Sequence, residues 1–82
     1  MEDFTVQDIE YGHVKIKLNE ILEAKNISIN KLAYRSEMQR SQIRKYCKNE
    51  VQRLDISILA RLCYSLECTL EDLIEYVPLR NN

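Results

Sequence analysis

The stretch from Ser28 to Tyr46, SINKLAYRSEMQRSQIRKY, decides how this chain folds. Ser28 stands just before an apolar periodic run and can accept backbone N–H bonds as the N-cap of a short helix. Leu32 and Ala33 then face inward, and the small Ala33 leaves room for a second helix to cross closely. Met38 falls in the turn, where it can plug the gap between the two helices. Gln39 or Ser41 can cap the second helix, in which Ile43, Tyr46 and Cys47 recur at i, i+3 and i+4 and point into the core. Arg40, Ser41, Gln42, Arg44, Lys45 and Lys48 remain outward.

Two short helices joined by a tight turn, the second with cations and amides outward, are the construction of a helix-turn-helix DNA-binding motif. Arginine can bond bidentately to guanine and glutamine to adenine, while lysine and serine contact bases or phosphates. From about Val14 to Val77 the chain resembles the Cro/CI-type phage-repressor family, also called XRE. The marks are Ile27, Ser28, Leu32, Ala33, Met38 and Ile43 in order, then Asp55 opening a fourth helix and Leu66-Glu67-Cys68-Thr69 before a fifth. The resemblance implies a compact all-α fold of five short helices, with helix-turn-helix at helices 2 and 3, to which the residues ahead of it can add a short N-terminal strand or arm. Two positions depart from the pattern. Glu37 stands in the turn where the family commonly has glycine, which requires a costlier left-handed backbone or a different turn. Asn49 stands where glycine often follows the recognition helix, and asparagine tolerates that conformation.

By family position, Arg40, Ser41 and Lys45 are the leading base readers in a helix at about 39–47, with Gln39, Gln42 and Arg44 as neighbours reading base edges or phosphate. Lys48 and Arg53, with Asn49 nearby, correspond to backbone contacts after that helix, and Ser28 and Asn30 to phosphate contacts at the start of helix 2. Capping and solvation explain Ser28 and Asn30 equally well. The implied function is a sequence-specific double-stranded DNA-binding transcriptional regulator, a repressor that occupies an operator. One such domain reads about half a site, so a homodimer on an inverted repeat is expected. Its contact would come from the end of helix 5 (Tyr76, Val77, Leu79) or from the N-terminal segment.

Charge distribution agrees with that reading although the net charge of −1 does not. Residues 31–53 carry Lys31, Arg35, Arg40, Arg44, Lys45, Lys48 and Arg53 against Glu37 and Glu50, whereas both flanking segments are acidic. A polarised molecule presents its cationic face to phosphates first. The bland alternative is that these charges only solvate helix faces. A second class of function is a protein-interaction module of the same fold, such as an antitoxin bound to a toxin or an adaptor. Such a module would more often place an apolar patch where these cations stand. An RNA reading is disfavoured because no exposed aromatic platform is apparent, Tyr46 and Tyr64 lying at or beside core positions.

Eighty-two residues with one Gly and one Pro suit a single small domain at 14–78, preceded by an arm or strand segment at 1–13 and followed by a tail at 79–82. No run approaches the roughly 18 apolar residues of a membrane span, and the start Met-Glu-Asp lacks the regions of a signal peptide, so a cytoplasmic location is expected. Cys47, Cys63 and Cys68 lack paired metal-ligand spacing and His13 is remote, so neither metal, cofactor nor enzymatic chemistry is expected. The cysteines read as small apolar residues, Cys63 in the core and Cys68 the most exposed. Asp55 is expected to cap the fourth helix and Thr69 the fifth, in which Leu70, Leu73 and Ile74 face inward until Pro78 stops it. The alternation Val14, Ile16, Leu18 suggests a strand at 14–18, hairpinned with 4–10; the other reading starts helix 1 there directly.

Overall fold

A computed structural model describes residues 11–79. The elements follow in the order β1 (His13–Ile16), α1 (Leu18–Lys25), α2 (Ile29–Ser36), α3 (Arg40–Cys47), α4 (Ile56–Leu66), α5 (Leu70–Leu73) and β2 (Ile74–Val77). The fold is mostly helical, with the five expected helices and a two-stranded sheet. Every element but β2 buries a side chain: Ile16 from β1, Leu18 and Leu22 from α1, Leu32 from α2, Ile43 and Tyr46 from α3, Leu62 and Leu66 from α4 and Leu73 from α5. Met38 is buried in the turn between α2 and α3. Each fully buried Leu or Ile stabilises by roughly 1.5–3 kcal/mol, and their shared contacts hold α3 in place.

The starts of α2, α4 and α5 follow side-chain chemistry. Ser28 Oγ accepts from the Lys31 N–H at 3.1 Å, and Asp55 accepts from the N–H groups of Ser57 and Ile58. Thr69 and Asp72 exchange two bonds in a capping box. Helix ends are built without glycine. Asn26, Glu37, Asn49 and Glu67 take φ values of 56, 57, 59 and 53°, left-handed backbone costing roughly 1–2 kcal/mol where a side chain is present. Glu37 therefore adopts the costlier turn geometry rather than altering the turn. At Asn26, Asn49 and Glu67 paired N–H bonds reach back into the preceding helix, as in a Schellman motif.

The chain's two ends depart from the sequence expectation. Helix 5 stops at Leu73, and Ile74–Val77 form β2, antiparallel to β1 with Ile16 opposite Ile74 and His13 opposite Val77. Leu70 is 48% exposed rather than buried, and Ile74 reaches the core edge from a strand. The alternation Ile74-Glu75-Tyr76-Val77, ended by Pro78, is a strand pattern in which β-branched and aromatic residues outweigh a helical continuation. The expected strand near 14–18 is present at 13–16, and α1 starts at Leu18; residues 4–10, expected as its hairpin partner, lie outside the described residues. Gly12 takes φ 85° beside β2, where a Cβ would collide with the Val77 carbonyl oxygen. The Tyr76 hydroxyl donates to the Tyr11 carbonyl, so the chain joins the fold ahead of His13.

Two side-chain expectations also change. Tyr64 is 87% exposed because it falls off the buried α4 stripe of Ile58, Leu59, Leu62 and Leu66. Cys68 is half-buried like Cys47 and Cys63. Burial raises the thiol pKa of Cys47 and Cys68, which makes them poor nucleophiles.

Candidate nucleic-acid interface

The inward face of α3 is fixed by Ile43 and Tyr46, and burial raises the Tyr46 hydroxyl pKa. With that face committed, the helical period puts Arg40 and Arg44 on one exposed line and Ser41, Lys45 and Lys48 on the next. Gln39 is exposed at the N-cap position, and Gln42 is half-buried. Gln39 makes no side-chain capping bond, so the first N–H groups of α3 lack the partner expected from Gln39 or Ser41.

Arg40 Nη1 donates to Asn30 Oδ1 at 3.3 Å, joining the starts of α3 and α2. This contact orients Arg40 while leaving its remaining guanidinium donors available. Ser28 lies on the same end of α2 and is engaged as its cap. Lys48, at the end of α3, and Arg53, before α4, are exposed. Asp55 occupies the free N–H groups that open α4, and hydrogen bonds from the Ser57 hydroxyl and from the backbone of Ser57 and Ile58 hold its pKa below the usual value.

The electrostatics set this region apart. Among the described residues the ion pairs are Lys15–Glu20 at 2.9 Å and Lys17–Glu75 at 4.0 Å, so no cation of 31–53 is paired there. The groove between α3 and the following loop is mixed, with Lys45 and Arg53 alongside Glu37, Glu50 and Asp55. Among the described residues no His, Cys, Asp or Glu cluster is arranged to hold a metal, and no helix is long and apolar enough to cross a membrane.

Asn49 follows Lys48 at the end of α3, as its sequence position implies, but its side chain is engaged within the fold. Its side-chain amide does not stand free beside Lys48 but is bonded to the backbone of Ile16, as described below. That contact spans 33 positions and has no local sequence signal. The Asn30–Arg40 bond and the buried Ser36, whose hydroxyl donates to the Leu32 carbonyl at 2.7 Å, were likewise missed by sequence reasoning. Ser36 sits four residues after Leu32, a spacing that favours such a bond inside a helix.

Comparisons with known proteins agree with this geometry. The fold is similar to that of a protein from Bacteroides fragilis provisionally described as DNA-binding, at 19% identity and TM-score 0.68, over 77% of this chain and 100% of that one. It is also similar to the transcriptional regulator VanUg, at 22% identity and TM-score 0.66, over 96% of this chain and 100% of that one. At such identities the likeness speaks for the fold. No curated protein matches the chain at a significant level. The model of the Cro/C1-type HTH DNA-binding domain matches residues 17–78, and with a helix-turn-helix of this geometry inside that span the chain belongs to that family.

Proposed function

We propose that this protein is a sequence-specific regulator of transcription, a repressor that places α3 in the major groove of double-stranded DNA and binds an inverted repeat as a homodimer in the cytoplasm. The observation that carries this reading is the outward face of α3, where Arg40, Arg44, Lys45 and Lys48 stand exposed and without an ion-pair partner among the described residues. Arg40, Ser41 and Lys45 read base edges, with Gln39, Gln42 and Arg44 beside them. Lys48, Arg53, Asn30 and the helix start at Ser28 contact phosphates and set the register. The protein acts by occupying its site and needs no cofactor.

A second copy is proposed to meet the chain near Tyr76 and Leu79, both exposed, rather than along β1, whose outer edge is already occupied at Ile16. A role in protein binding has one observation in its favour: Ile56, Tyr34 and Tyr64 are exposed on α4 and α2 at 83, 87 and 87%. These residues also remove the ground for disfavouring RNA on aromatic exposure. None of the three lies on α3, so a toxin or other protein partner would contact a surface separate from the cationic helix.

The test is selection from a randomised duplex library at near-physiological salt, with sequencing of the retained molecules. Enrichment of an inverted repeat is expected, with affinity that falls steeply as salt rises. A library returned unenriched would sink the DNA reading and move the protein-partner reading ahead of it.

A further inference from the structure

We infer that Asn49 is a positioning residue for the DNA-reading helix, its side-chain amide clasping the edge of β1 and fixing the end of α3 relative to the terminal sheet. This inference rests on the proposed reading of DNA by α3. The Ile16 N–H donates to Asn49 Oδ1 at 2.6 Å, and Asn49 Nδ2 donates to the Ile16 carbonyl at 3.0 Å. One planar amide thus satisfies both backbone groups of one strand residue, as a residue of a neighbouring strand would. The Lys17 N–H bonds to the Leu73 carbonyl at 2.7 Å, so in the alternating register Lys17 faces β2 and Ile16 faces outward to Asn49.

The other end of the join is equally defined. Asn49 holds φ 59°, with its N–H on the Tyr46 carbonyl at 3.2 Å and the Glu50 N–H on the Lys45 carbonyl at 2.9 Å. A continuous run of hydrogen bonds therefore links Lys45 and Tyr46 of α3 to Ile16 of β1 through this one side chain. Ile43 and Tyr46 anchor α3 by non-directional burial and Arg40 is bonded to Asn30 at its start, which leaves rotation and sliding of its far end opposed by packing alone. Two bonds from a planar group oppose both. Side chains that read base edges must be held to about 0.5 Å, and such support decides whether they are.

Glycine at position 49 keeps the left-handed backbone and removes only the amide, so Asn49→Gly separates the clasp from the helix end. In the full-length variant, affinity for the selected site is expected to fall about tenfold while affinity for random duplex is retained. Because Asn49 is neutral, the salt dependence should stay as in the unmodified protein. Amide exchange supplies an independent readout: the Ile16 N–H is protected in the unmodified protein and loses protection in Asn49→Gly, while the Lys17 N–H keeps it. Equal losses on selected and random duplex would make Asn49 a phosphate contact and overturn the inference. So would an unprotected Ile16 N–H in the unmodified protein, or a variant that keeps its full preference for the selected site. An unmodified protein with no preference among duplexes would instead overturn the DNA reading, and this inference with it.

Discussion

Helices α3 and α4 bury one face each by the same rule and expose faces of different chemistry. Ile43 and Tyr46 do for α3 what Ile58, Leu59, Leu62 and Leu66 do for α4. Outward, α3 shows Arg40, Ser41, Arg44 and Lys45, while α4 shows Ile56, Ala60, Arg61 and Tyr64. Their starts differ as well, because Asp55 caps α4 whereas Gln39 leaves α3 without a side-chain cap. Inward periodicity thus locates both helices and says nothing of which one meets a ligand. The exposed residues carry that information, and the proposed DNA contact through α3 rests on them.

The largest expected effect probes the part the two helices share. Ile43→Ala and Leu62→Ala each remove a side chain with no solvent exposure, and each is expected to cost roughly 2–5 kcal/mol in urea unfolding. A loss under about 1 kcal/mol at Ile43 would mean that α3 is not seated in the core as α4 is. Next in size is the contrast of outward cations. Arg40→Ala should weaken binding to the selected site by about 1–3 kcal/mol and relax preference at one base pair, whereas Arg61→Ala on α4 should leave both unchanged in the same titration. Equal losses from the two would erase the distinction between the faces.

The smallest effect concerns the helix starts and depends on pH. Hydrogen bonds lower the Asp55 pKa below the ordinary 3.8, so folding favours its ionised form. The stability it contributes is present above that ordinary value and is lost as pH falls through the lowered one. Asn at this position cannot titrate, so Asp55→Asn should show a shallower decline of melting temperature below about pH 4 than the unmodified protein. The start of α3, with Gln39, adds no such dependence. An unchanged acid slope in Asp55→Asn would show that folding does not favour the ionised carboxylate at this cap.

The motif was legible residue by residue because its signals are local. Ser28 and Asp55 cap helices within three positions, Met38 and Ile43 fall in a local apolar spacing, and the family pattern spans the same residues. At Glu37 the sequence leaves a strained backbone or a different turn open, and its φ of 57° decides for the strained backbone. Tyr64 lies next to a core stripe in the sequence without belonging to it, and it is exposed. Asn49 is grouped with Lys48 and Arg53 by family position alone, and its bond to Ile16 is invisible in the sequence at a separation of 33 residues.

By itself the sequence determined the five helices, the helix-turn-helix among them, the buried face of α3 and the cationic face opposite, because helical periodicity, capping and turn chemistry operate over one or two turns. Tertiary structure decided that the strand-prone tail after Leu73 pairs with β1, and that Asn49 closes the far edge of β1. Those outcomes are pairings between segments far apart in the chain, and a short stretch such as Ile74–Val77 adopts whichever conformation its distant partner satisfies.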